Sequence, residues 1–488
     1  MKNADIAIIG GGVVGCSIAW ELSKYKIKTI VLEMGSDVAS ETSKANSGVI
    51  HSGINSATGS LKAKFCVQGN KMIESLSKEI GFSLKWIGKY VIAKNDYEIK
   101  ELDRLKEVGE KNGVENLRLV DKKTIKKSEP NVPCEKALWV PTAGILLPYE
   151  FTISLAQNAA INKVDFYLET KVKAIEKEKD GYLIKTNNGD FNSKIVINSS
   201  GLNCRNICSM IEEPDFNVYP CRGEYLVLDK TYGNLVNSMI YPIPPKEKGV
   251  LGVHITPTIE GNILLGPSAE FIKDGFDKRT TKKTMNDLIK DAQDIVPKIP
   301  NNSVINAYSG IRCKLASKKE GGWADYKIYE SKNNPGIVNL LGIESPGLTA
   351  APAIANHVRD IISNSFDLEK KSKIIKKNYF TKHFSEMNAK EQNSLVKKDS
   401  RWGRIICRCE KVTEAEIIKA LSNPLGAKTL SSVKYRTRAG MGRCQGGFCK
   451  QHIVRIMQDE FNMKLDDIKL KSPKSKMFFN KSRGVNDD

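Results

Sequence analysis

Apolar and polar positions at the start of the chain follow a regular pattern around a group of glycines. Residues 4–9 (ADIAII) form a continuous apolar run, which predicts a short buried strand. Residues 13–24 (VVGCSIAWELSK) carry apolar side chains at helical spacing and predict a helix. Residues 28–33 (KTIVLE) predict a second buried strand. The chain is therefore expected to begin with a strand, a turn, a helix and a strand in succession.

The next three hundred residues or so mix helical and strand-like patterns. Helices are predicted at 67–80, 97–112, 152–161 and 279–295. Strands are predicted at 83–93, as a hairpin, and through 163–200 and 222–311. A buried strand at 336–343 precedes a turn and a helix that runs to about residue 363. This alternation predicts an α/β fold with a strand-rich middle part.

The pattern changes after residue 365. Residues 366–400 are rich in lysine and poor in core residues, which predicts a linker that is helical in part. Four cysteines, with glycines and arginines, are concentrated in residues 401–450. A separate small domain is therefore expected at the C-terminal end.

Composition limits the classes of function. The chain has 488 residues, 40% of them hydrophobic, so it is long enough for two to four domains. Its net charge is +20, but the lysines are spread along the chain, so a solvated basic surface is favoured over a nucleic-acid site. No apolar run reaches 18 residues, so no membrane span is expected. The 11 scattered cysteines indicate a reducing, cytoplasmic compartment.

The glycines of the first turn form a dinucleotide-binding motif. Gly10, Gly12 and Gly15 follow the GxGxxG spacing between a predicted strand and a predicted helix. These glycines permit a tight turn, a close approach of the backbone to a pyrophosphate, and close packing of the helix on the strand. Glu33 ends the second strand, where an acid accepts hydrogen bonds from ribose hydroxyls. The motif predicts NAD or FAD rather than NADP, since NADP requires a basic residue there.

Later segments resemble a known flavoprotein family. Residues 40–70 resemble the second flavin motif of the D-amino-acid-oxidase-like superfamily, and most closely its glycerol-3-phosphate and L-2-hydroxyglutarate dehydrogenase branch. The resemblance continues in CRGEYLVLD (221–229), HITPTIEGNILLGPSAE (254–270), SGIRCK (309–314) and IESPGLTAAPAIA (343–355). It covers the chain to about residue 365 and implies FAD as the cofactor.

The resemblance implies a set of residues around the flavin. The turn at residues 345–348 is expected to present backbone N–H groups to the carbonyl end of the flavin. The expected FAD-binding residues are Gly10, Gly12, Gly15, Glu33, Ser43, Lys44, Ser47, Gly48, Val172, Gly201, Gly342, Gly347, Leu348 and Thr349.

Substrate residues are expected among the few histidines and selected arginines. Oxidation of an alcohol by a flavin requires a base for the hydroxyl proton, and histidine suits this role. His51 matches the family histidine beside the flavin ring, and His254 begins another motif. Arg312 and then Arg222 are the candidates for gripping a carboxylate or phosphate. A core histidine or a surface ion pair is the structural alternative for each of these residues.

One position departs from the family pattern. Glycerol-3-phosphate enzymes of this kind carry a lysine in the late turn, whereas this chain reads PGLTAAPA at 346–353. The departure weakens the prediction of a phosphate-bearing substrate without removing it.

The four late cysteines predict a metal centre. Cys407 and Cys409 are followed, 35 residues after Cys409, by Cys444 and then Cys449. The C-x-C spacing is atypical for zinc, which remains the alternative. The segments IICRCEKVTEAEI (405–417) and YRTRAGMGRCQGGFC (435–449) resemble the 2Fe–2S domain of bacterioferritin-associated ferredoxin. The resemblance implies a 2Fe–2S cluster bound by these four thiolates.

The combined resemblances imply a domain organisation. A discontinuous Rossmann-type FAD-binding domain is expected from residues 1–75, 150–215 and 335–365, and a mostly antiparallel-sheet substrate domain from 76–149 and 216–334. A linker (366–400), a small helical 2Fe–2S domain (401–475) and a tail (476–488) complete the chain.

The expected function is that of an FAD-dependent dehydrogenase whose electrons leave through the 2Fe–2S centre. The substrate is expected to be small and anionic, with sn-glycerol 3-phosphate first, L-2-hydroxyglutarate or another 2-hydroxy acid second, and an amino acid third. A non-catalytic electron-transfer subunit that binds both cofactors is the alternative of another class. The resemblance also implies a second flavoprotein or an electron-acceptor subunit as partner. Through such a partner, peripheral attachment at the inner face of the membrane stays open.

Overall fold

The computed structural model describes residues 2–245, 252–380 and 382–479. The helices are α1 (Val13–Leu22), α2 (Leu61–Ile80), α3 (Asp96–Lys111), α4 (Lys122–Ser128), α5 (Pro148–Ile161), α6 (Cys204–Cys208), α7 (Lys282–Ile295), α8 (Gly347–Ser363), α9 (Ala389–Lys398), α10 (Glu414–Leu421), α11 (Leu430–Thr437) and α12 (Cys449–Phe461). Residues 480–488 of the expected tail lie outside the described residues, as do 246–251 of the strand-rich part.

The strands belong to four sheets. They are β1 (Lys2–Ile9), β2 (Thr29–Leu32), β3 (Val49–Ile50), β4 (Leu84–Lys85), β5 (Lys89–Ala93), β6 (Arg118–Asp121), β7 (Lys136–Val140), β8 (Gly144–Leu146), β9 (Asp165–Tyr167), β10 (Val172–Glu178), β11 (Gly181–Thr186), β12 (Phe191–Asn198), β13 (Tyr219–Leu228), β14 (Met239–Pro242), β15 (His254–Pro257), β16 (Ile263–Gly266), β17 (Glu270–Phe271), β18 (Val304–Lys314), β19 (Lys327–Glu330), β20 (Ile337–Leu341), β21 (Ile405–Cys407) and β22 (Val412–Thr413).

The first large sheet is built around parallel strands from distant parts of the chain. Its order is β10-β11-β12-β1-β2-β9, and β20 and β19 extend it beside β12. β1 pairs in parallel with β2 and with β12, and β12 pairs in parallel with β20. Both faces of these strands are covered, which explains their continuous apolar runs. α1, α2 and α8 pack in one core with β1 and β20.

The second large sheet is mostly antiparallel and forms the strand-rich part. Its order is β17-β13-β16-β15-β14-β5-β7-β6, with β18 beside β13. β13 and β18 pair over most of their length, and this register sets Arg312 opposite Cys221. α7 packs on this sheet through Leu288 and Ala292. The two sheets confirm the predicted α/β class with an antiparallel substrate part.

Two local predictions were wrong. Residues 83–93 do not form a hairpin, because β4 pairs with β8 whereas β5 pairs with β7 and β14. Gly88, with φ of +68°, separates the two strands, and the ring of Trp139 fills the space where a Cβ would lie. β19 was expected in the substrate domain, but it pairs with β20 in the first sheet.

The C-terminal segment folds around its own core. β21 and β22 form a two-stranded sheet, and α10, α11 and α12 pack on it through residues such as Ile417, Val433 and Met457. The segment expected to be a linker contains α9, as the partial helicity predicted. Its first part packs against the part of the chain that precedes it, since Ile374 and Phe380 join the core around α5.

Candidate active site and cluster site

The first cavity is a groove at the carboxyl ends of β1 and β2. It has a volume of about 400 Å³. Nine of the fourteen residues expected to bind FAD line it: Gly10, Gly12, Glu33, Ser43, Ser47, Val172, Gly201, Gly347 and Leu348. They come from six separate segments of the chain, which the parallel sheet brings to one edge.

The groove presents the start of α1 to an anion. The N-cap residue Gly12 has no side-chain cap, and the N–H of Val13 donates to Ser43 Oγ at 2.9 Å. A Cβ at Gly15 would lie 2.0 Å from the carbonyl oxygen of Gly10, so only glycine permits this packing. Free N–H groups and the positive end of the helix dipole suit a pyrophosphate. These residues therefore fit the diphosphate of FAD.

Glu33 lines the groove beside the glycine turn. Its carboxylate accepts hydrogen bonds from the backbone N–H groups of Gly11, at 2.6 Å, and Gly35, at 2.7 Å. Burial raises the pKa of this carboxyl group, although the two N–H donors act against the shift. The position matches an acid that binds a ribose hydroxyl.

The other five expected FAD residues do not line the groove. Gly15 acts through packing, and Gly48 and Gly342 occupy turns with φ of +68° and +69°. Thr349 is fully buried, and its hydroxyl accepts a hydrogen bond from the N–H of His51 at 3.0 Å. The side chain of Lys44 points out of the groove and lines a different cavity, near Tyr435.

The second cavity adjoins the groove and has a volume of about 880 Å³. We call it the substrate cavity. Seven residues line both the groove and the substrate cavity: Ser47, His51, Tyr225, Arg312, Glu344, Ser345 and Pro346. The two cavities therefore meet at the histidine and the arginine that the sequence singled out.

His51 is held by its backbone while its ring remains free to react. Its carbonyl oxygen accepts a hydrogen bond from Asn70 Nδ2 at 3.0 Å, and its N–H is bonded to Thr349. The ring Nε2 lies 3.4 Å from Ser345 Oγ. Burial, with a smaller contribution from Lys89, lowers the pKa of His51 to about 3. The imidazole is therefore neutral at pH 7 and able to accept a proton.

His254 lines the same cavity from β15. Its ring stacks on that of Tyr241 with centroids 4.0 Å apart, and Nδ1 lies 3.3 Å from the carbonyl oxygen of Gly252. Burial, then the nearby His51, lowers its pKa to about 3. Its Nε2 is buried without a partner among the described residues. That atom is available to a ligand in the cavity.

Arg312 faces both cavities from β18. Its guanidinium donates to the carbonyl oxygen of Ser268 at 3.2 Å, and no ion pair of Arg312 is found in the described part of the chain. A Cβ at Gly223 would lie 2.7 Å from Arg312 Nη2, so this glycine makes room for the guanidinium. An arginine without a carboxylate partner suits an anionic substrate.

Arg222 occupies a different place from the one we expected. Its side chain is 2% exposed and lines neither cavity. It contacts three carboxylates, those of Glu224 at 3.6 Å, Glu270 at 2.5 Å and Asp277 at 3.0 Å. These acids already use its charge, so Arg222 stabilises the sheet and is withdrawn as a substrate ligand.

Sequence reasoning missed Lys89, which supplies a second positive charge in the substrate cavity. Lys89 begins β5 and is 1% exposed, with Nζ 4.7 Å from the centre of the Tyr241 ring. Burial lowers its pKa to about 8. No ion pair of Lys89 is present among residues 2–245, 252–380 and 382–479. Only its position beside His51 and His254 distinguishes it from an ordinary strand lysine.

Two further lysines of the cavity share a single carboxylate. Lys62 Nζ lies 2.9 Å from Glu344 Oε1, and Lys314 Nζ lies 3.2 Å from the same oxygen. All three side chains are less than 8% exposed. The cavity therefore retains a clear excess of positive charge, centred on Lys89 and Arg312.

The four late cysteines meet in space. Cys407 Sγ lies 3.8 Å from Cys409 Sγ, which lies 3.9 Å from Cys444 Sγ. Cys407 ends β21 and Cys449 begins α12, and both are buried, whereas Cys409 and Cys444 are exposed. A Cβ at Gly442 would lie 2.5 Å from Cys409 Sγ, so this glycine keeps space beside the thiols.

The surroundings of one of these thiols, that of Cys444, favour its ionised form. The backbone N–H groups of Phe448 and Gly446 lower the pKa of Cys444. Four thiols at bonding range of a small centre, with N–H donors aimed at their sulfurs, fit an iron–sulfur cluster.

Buried ion pairs attach the cluster domain to the flavin-binding part through Arg436 and to the substrate part through Arg438 and Glu260. Arg436 Nη2 lies 3.0 Å from Asp37 Oδ1, in the segment that follows Glu33. Arg438 Nε lies 2.9 Å from Glu410 Oε2 and 3.5 Å from Glu260 Oε2. These contacts hold the cluster domain against the part of the chain that carries the flavin groove and the substrate cavity.

Comparisons with known proteins agree with this geometry. Residues 5–361 match the FAD dependent oxidoreductase family (DAO), and residues 405–459 match the BFD-like 2Fe-2S binding domain. The chain is 42% identical to a glycerol 3-phosphate dehydrogenase of Caloramator mitchellensis over 95% of this chain and 96% of that protein. It is 32% identical to the mitochondrial L-2-hydroxyglutarate dehydrogenase of Arabidopsis thaliana over 73% and 83%.

Solved structures show the same fold. The dithionite-reduced L-alpha-glycerophosphate oxidase of Mycoplasma pneumoniae, with FAD bound, aligns with a TM-score of 0.73 and 33% identity. The alignment covers 78% of this chain and 99% of that one. Within the described residues, no helix combines the length and the apolarity that a bilayer span requires.

The predicted cofactors, FAD and a 2Fe–2S cluster, are confirmed. The chain belongs to the FAD dependent oxidoreductase family and carries a BFD-like 2Fe-2S binding domain at its C-terminal end.

Proposed function

We propose that the protein oxidises sn-glycerol 3-phosphate to dihydroxyacetone phosphate and passes the electrons out through its 2Fe–2S domain. The observation that carries this proposal is the meeting of a cationic substrate cavity with the flavin groove at His51 and Arg312. The similar glycerol 3-phosphate dehydrogenase, which shares nearly the full length of this chain, supports the choice of substrate.

Different residues of the substrate cavity bind different groups of the substrate. Lys89 and Arg312 hold the phosphate group, because both are buried cations without a carboxylate partner in the described part of the chain. A buried ammonium and a guanidinium make charge-assisted hydrogen bonds with phosphate oxygens. They compensate for the missing lysine of the late turn. His254 Nε2 offers a further polar contact to the substrate.

His51 acts as the general base. Its neutral Nε2 takes the proton of the C2 hydroxyl as the C2–H bond breaks. Its backbone carbonyl accepts a hydrogen bond from Asn70 and its backbone N–H donates one to Thr349 Oγ1, and these two contacts hold the residue at the junction of the cavities. Bound FAD supplies the acceptor for the hydride, and the cluster supplies a one-electron exit.

The groove-lining residues are the proposed FAD contacts, and the four clustered cysteines are the proposed cluster ligands. The sequence-based domain boundaries are kept, with Lys327–Glu330 moved to the FAD-binding sheet. The proposed partner is a second flavoprotein or another electron-acceptor subunit. The proposed location is the cytoplasm, with attachment to the inner face of the membrane only through that partner.

A 2-hydroxy acid is the second candidate substrate. The late turn lacks a lysine, and an L-2-hydroxyglutarate dehydrogenase is among the similar proteins. Lys89 and Arg312 could hold a carboxylate by the same contacts.

The test is a visible spectrum of protein purified without oxygen, before and after each substrate is added. Bleaching of the flavin band by sn-glycerol 3-phosphate, and not by L-2-hydroxyglutarate, is the expected result. Bleaching by the second compound alone would replace the substrate. Bleaching by neither, with both cofactors present, would favour a non-catalytic electron-transfer subunit.

A further inference from the structure

A third cavity lies between the flavin-binding part and the cluster domain. Its volume is about 1180 Å³, larger than that of either cavity described above. We call it the interdomain cavity. One wall carries Lys44 and Ser47 from the flavin loop, and the opposite wall carries Lys434, Tyr435 and Lys471 from the C-terminal part. Neither the proposed reaction nor the cluster ligands account for this space.

Basic side chains outnumber the two carboxylates, Glu41 and Glu169, on the wall of the interdomain cavity. Lys44, Lys434 and Lys471 line it, and the described residues give none of the three an ion pair. The two lining carboxylates are already engaged, Glu41 by Lys278 and Glu169 by Lys469. Neighbouring cations with no counter-ion repel each other, and a bound anion would remove this cost.

The ammonium groups also influence one another. Burial lowers the pKa of Lys44 to about 8; Glu41 acts against this shift, and Lys278 and Lys471 add to it. Burial lowers the pKa of Lys434, with Lys450 and Lys471 contributing. The Nζ atoms of Lys44 and Lys434 lie 5.5 Å and 5.8 Å from the centre of the Tyr435 ring. Two of the three lysines thus lie beside one aromatic side chain, that of Tyr435.

Aromatic rings line the same space. The rings of Tyr149 and Tyr435 lie 5.1 Å apart, and Tyr308 also lines the cavity. Tyr308 in turn stacks on Tyr225, a residue of the flavin groove, at 5.0 Å. Tyrosines beside lysines form a surface that suits a planar ring carrying a phosphate.

We propose that the interdomain cavity binds a mononucleotide, with its phosphate on Lys44, Lys434 and Lys471 and its ring against the tyrosines. A ligand there would contact the flavin loop at Ser47 and the cluster loop at Gln445, next to Cys444. The interdomain cavity shares a wall with the flavin groove at Met34, Ser40, Glu41 and Ser47. Lys44, Lys434 and Lys471, however, line the interdomain cavity and not the groove, so FAD in the groove is not the ligand assigned to them.

The experiment measures binding to the holoprotein by equilibrium dialysis without oxygen, with FMN, AMP and inorganic phosphate as separate probes. The expected result is one equivalent of FMN or AMP per chain, with phosphate binding at least about tenfold more weakly. The tighter of the two nucleotides identifies the ring. FAD content, read from the flavin absorbance, should not change.

Matched variants locate the site. Lys434→Met and the more exposed Lys471→Met should each weaken nucleotide binding about tenfold or more, whereas Lys464→Met, an exposed lysine of the same domain, should not. Flavin bleaching by substrate should persist in all three variants, which separates this test from that of the proposed function. The proposal is overturned by any of three results: neither nucleotide binds at millimolar concentration, phosphate binds as tightly as AMP, or an added nucleotide displaces FAD.

Discussion

The substrate cavity and the cluster site differ in how far their reactive groups are exposed to solvent. The substrate cavity is walled by buried strands and helices, and its base, His51, has a pKa lowered to about 3 by burial. The cluster site is formed by a short strand, a loop and a helix start, and leaves Cys409 and Cys444 exposed. Proton abstraction needs an unprotonated base within hydrogen-bond reach of the substrate hydroxyl, whereas electron exit needs a centre that another protein can approach.

The largest expected effect comes from removing a cluster ligand. Cys409→Ser should abolish the 2Fe–2S signal, because the centre depends on four thiolates. Substrate should still bleach the flavin, since the substrate cavity does not include the cysteine. Electron paramagnetic resonance of the reduced protein and metal analysis provide the measurement. Cys134→Ser, a cysteine far from the cluster in sequence and in a different core, is the control. An unchanged iron content would contradict the assignment.

Removal of the proposed base, His51, should have the opposite result: turnover falls while the cluster remains. His51→Ala should lower kcat by about 100- to 10,000-fold, the range that general base catalysis contributes. The iron signal should stay at the level of the unchanged protein, since His51 is outside the cluster domain. Because His51 also lines the flavin groove, the rate is expressed per bound FAD. Stopped-flow flavin reduction measures the rate. A variant that keeps full activity would show that His51 is not the base.

A smaller effect is expected from the lysine that sequence reasoning missed. Lys89→Met should lower kcat/KM by about 10- to 100-fold, because a hydrogen bond to a charged group contributes about 1.5–3 kcal/mol. The change should lie mainly in KM, as expected for a group that holds the phosphate. Lys123→Met, an exposed lysine of α4, is the matched control. Equal effects of the two variants would remove Lys89 from the substrate site.

The smallest effect concerns stability at low pH. Burial lowers the pKa of His254 to about 3, below the usual 6.5, so the unfolded chain binds the proton more readily. The contribution of neutral His254 to the free energy of unfolding should therefore be fully present above pH 6.5. It should be lost as the pH falls from 6.5 toward 3, by up to about 1.4 kcal/mol per pH unit. His254→Asn should make the fall of the urea midpoint between pH 7 and 5 shallower. An unchanged slope would show that His254 titrates normally.

The parts of the site that sequence reasoning found are those with local signals. The glycine turn, Glu33 and the cysteines carry their spacing in the sequence, and His51 and Arg312 lie within recognisable motifs. Arg222 was misplaced because its partners Glu270 and Asp277 lie 48 and 55 positions further along and meet it only through the β13 sheet and the segment that follows β17. Lys89 was missed for the same reason, since its neighbours come from β14 and β15.

Fold prediction failed in a similar way. The hairpin at 83–93 looked local, but β5 pairs with β7 and with the distant β14. The side chain of Lys44 belongs by sequence to the flavin motif, yet the docked C-terminal domain gives it a second cavity to face. Long-range packing, which no local pattern records, decided both cases.

The segment between the two cofactor domains is not a loose linker, because residues 375–377 are fixed to the end of α5. The side-chain amide of Asn158 exchanges two hydrogen bonds with the backbone of Lys377, at 3.0 Å and 2.8 Å, and Asn162 does the same with Ile375, at 2.7 Å and 2.9 Å. The side-chain amides of these two asparagines thus satisfy the backbone N–H and C=O groups of the segment, as the backbone of a paired strand would. A protease that cuts the chain between Ser363, the end of α8, and Ile375 would leave the C-terminal piece bound to α5 through these four hydrogen bonds, so the covalent connection guides assembly more than it maintains it.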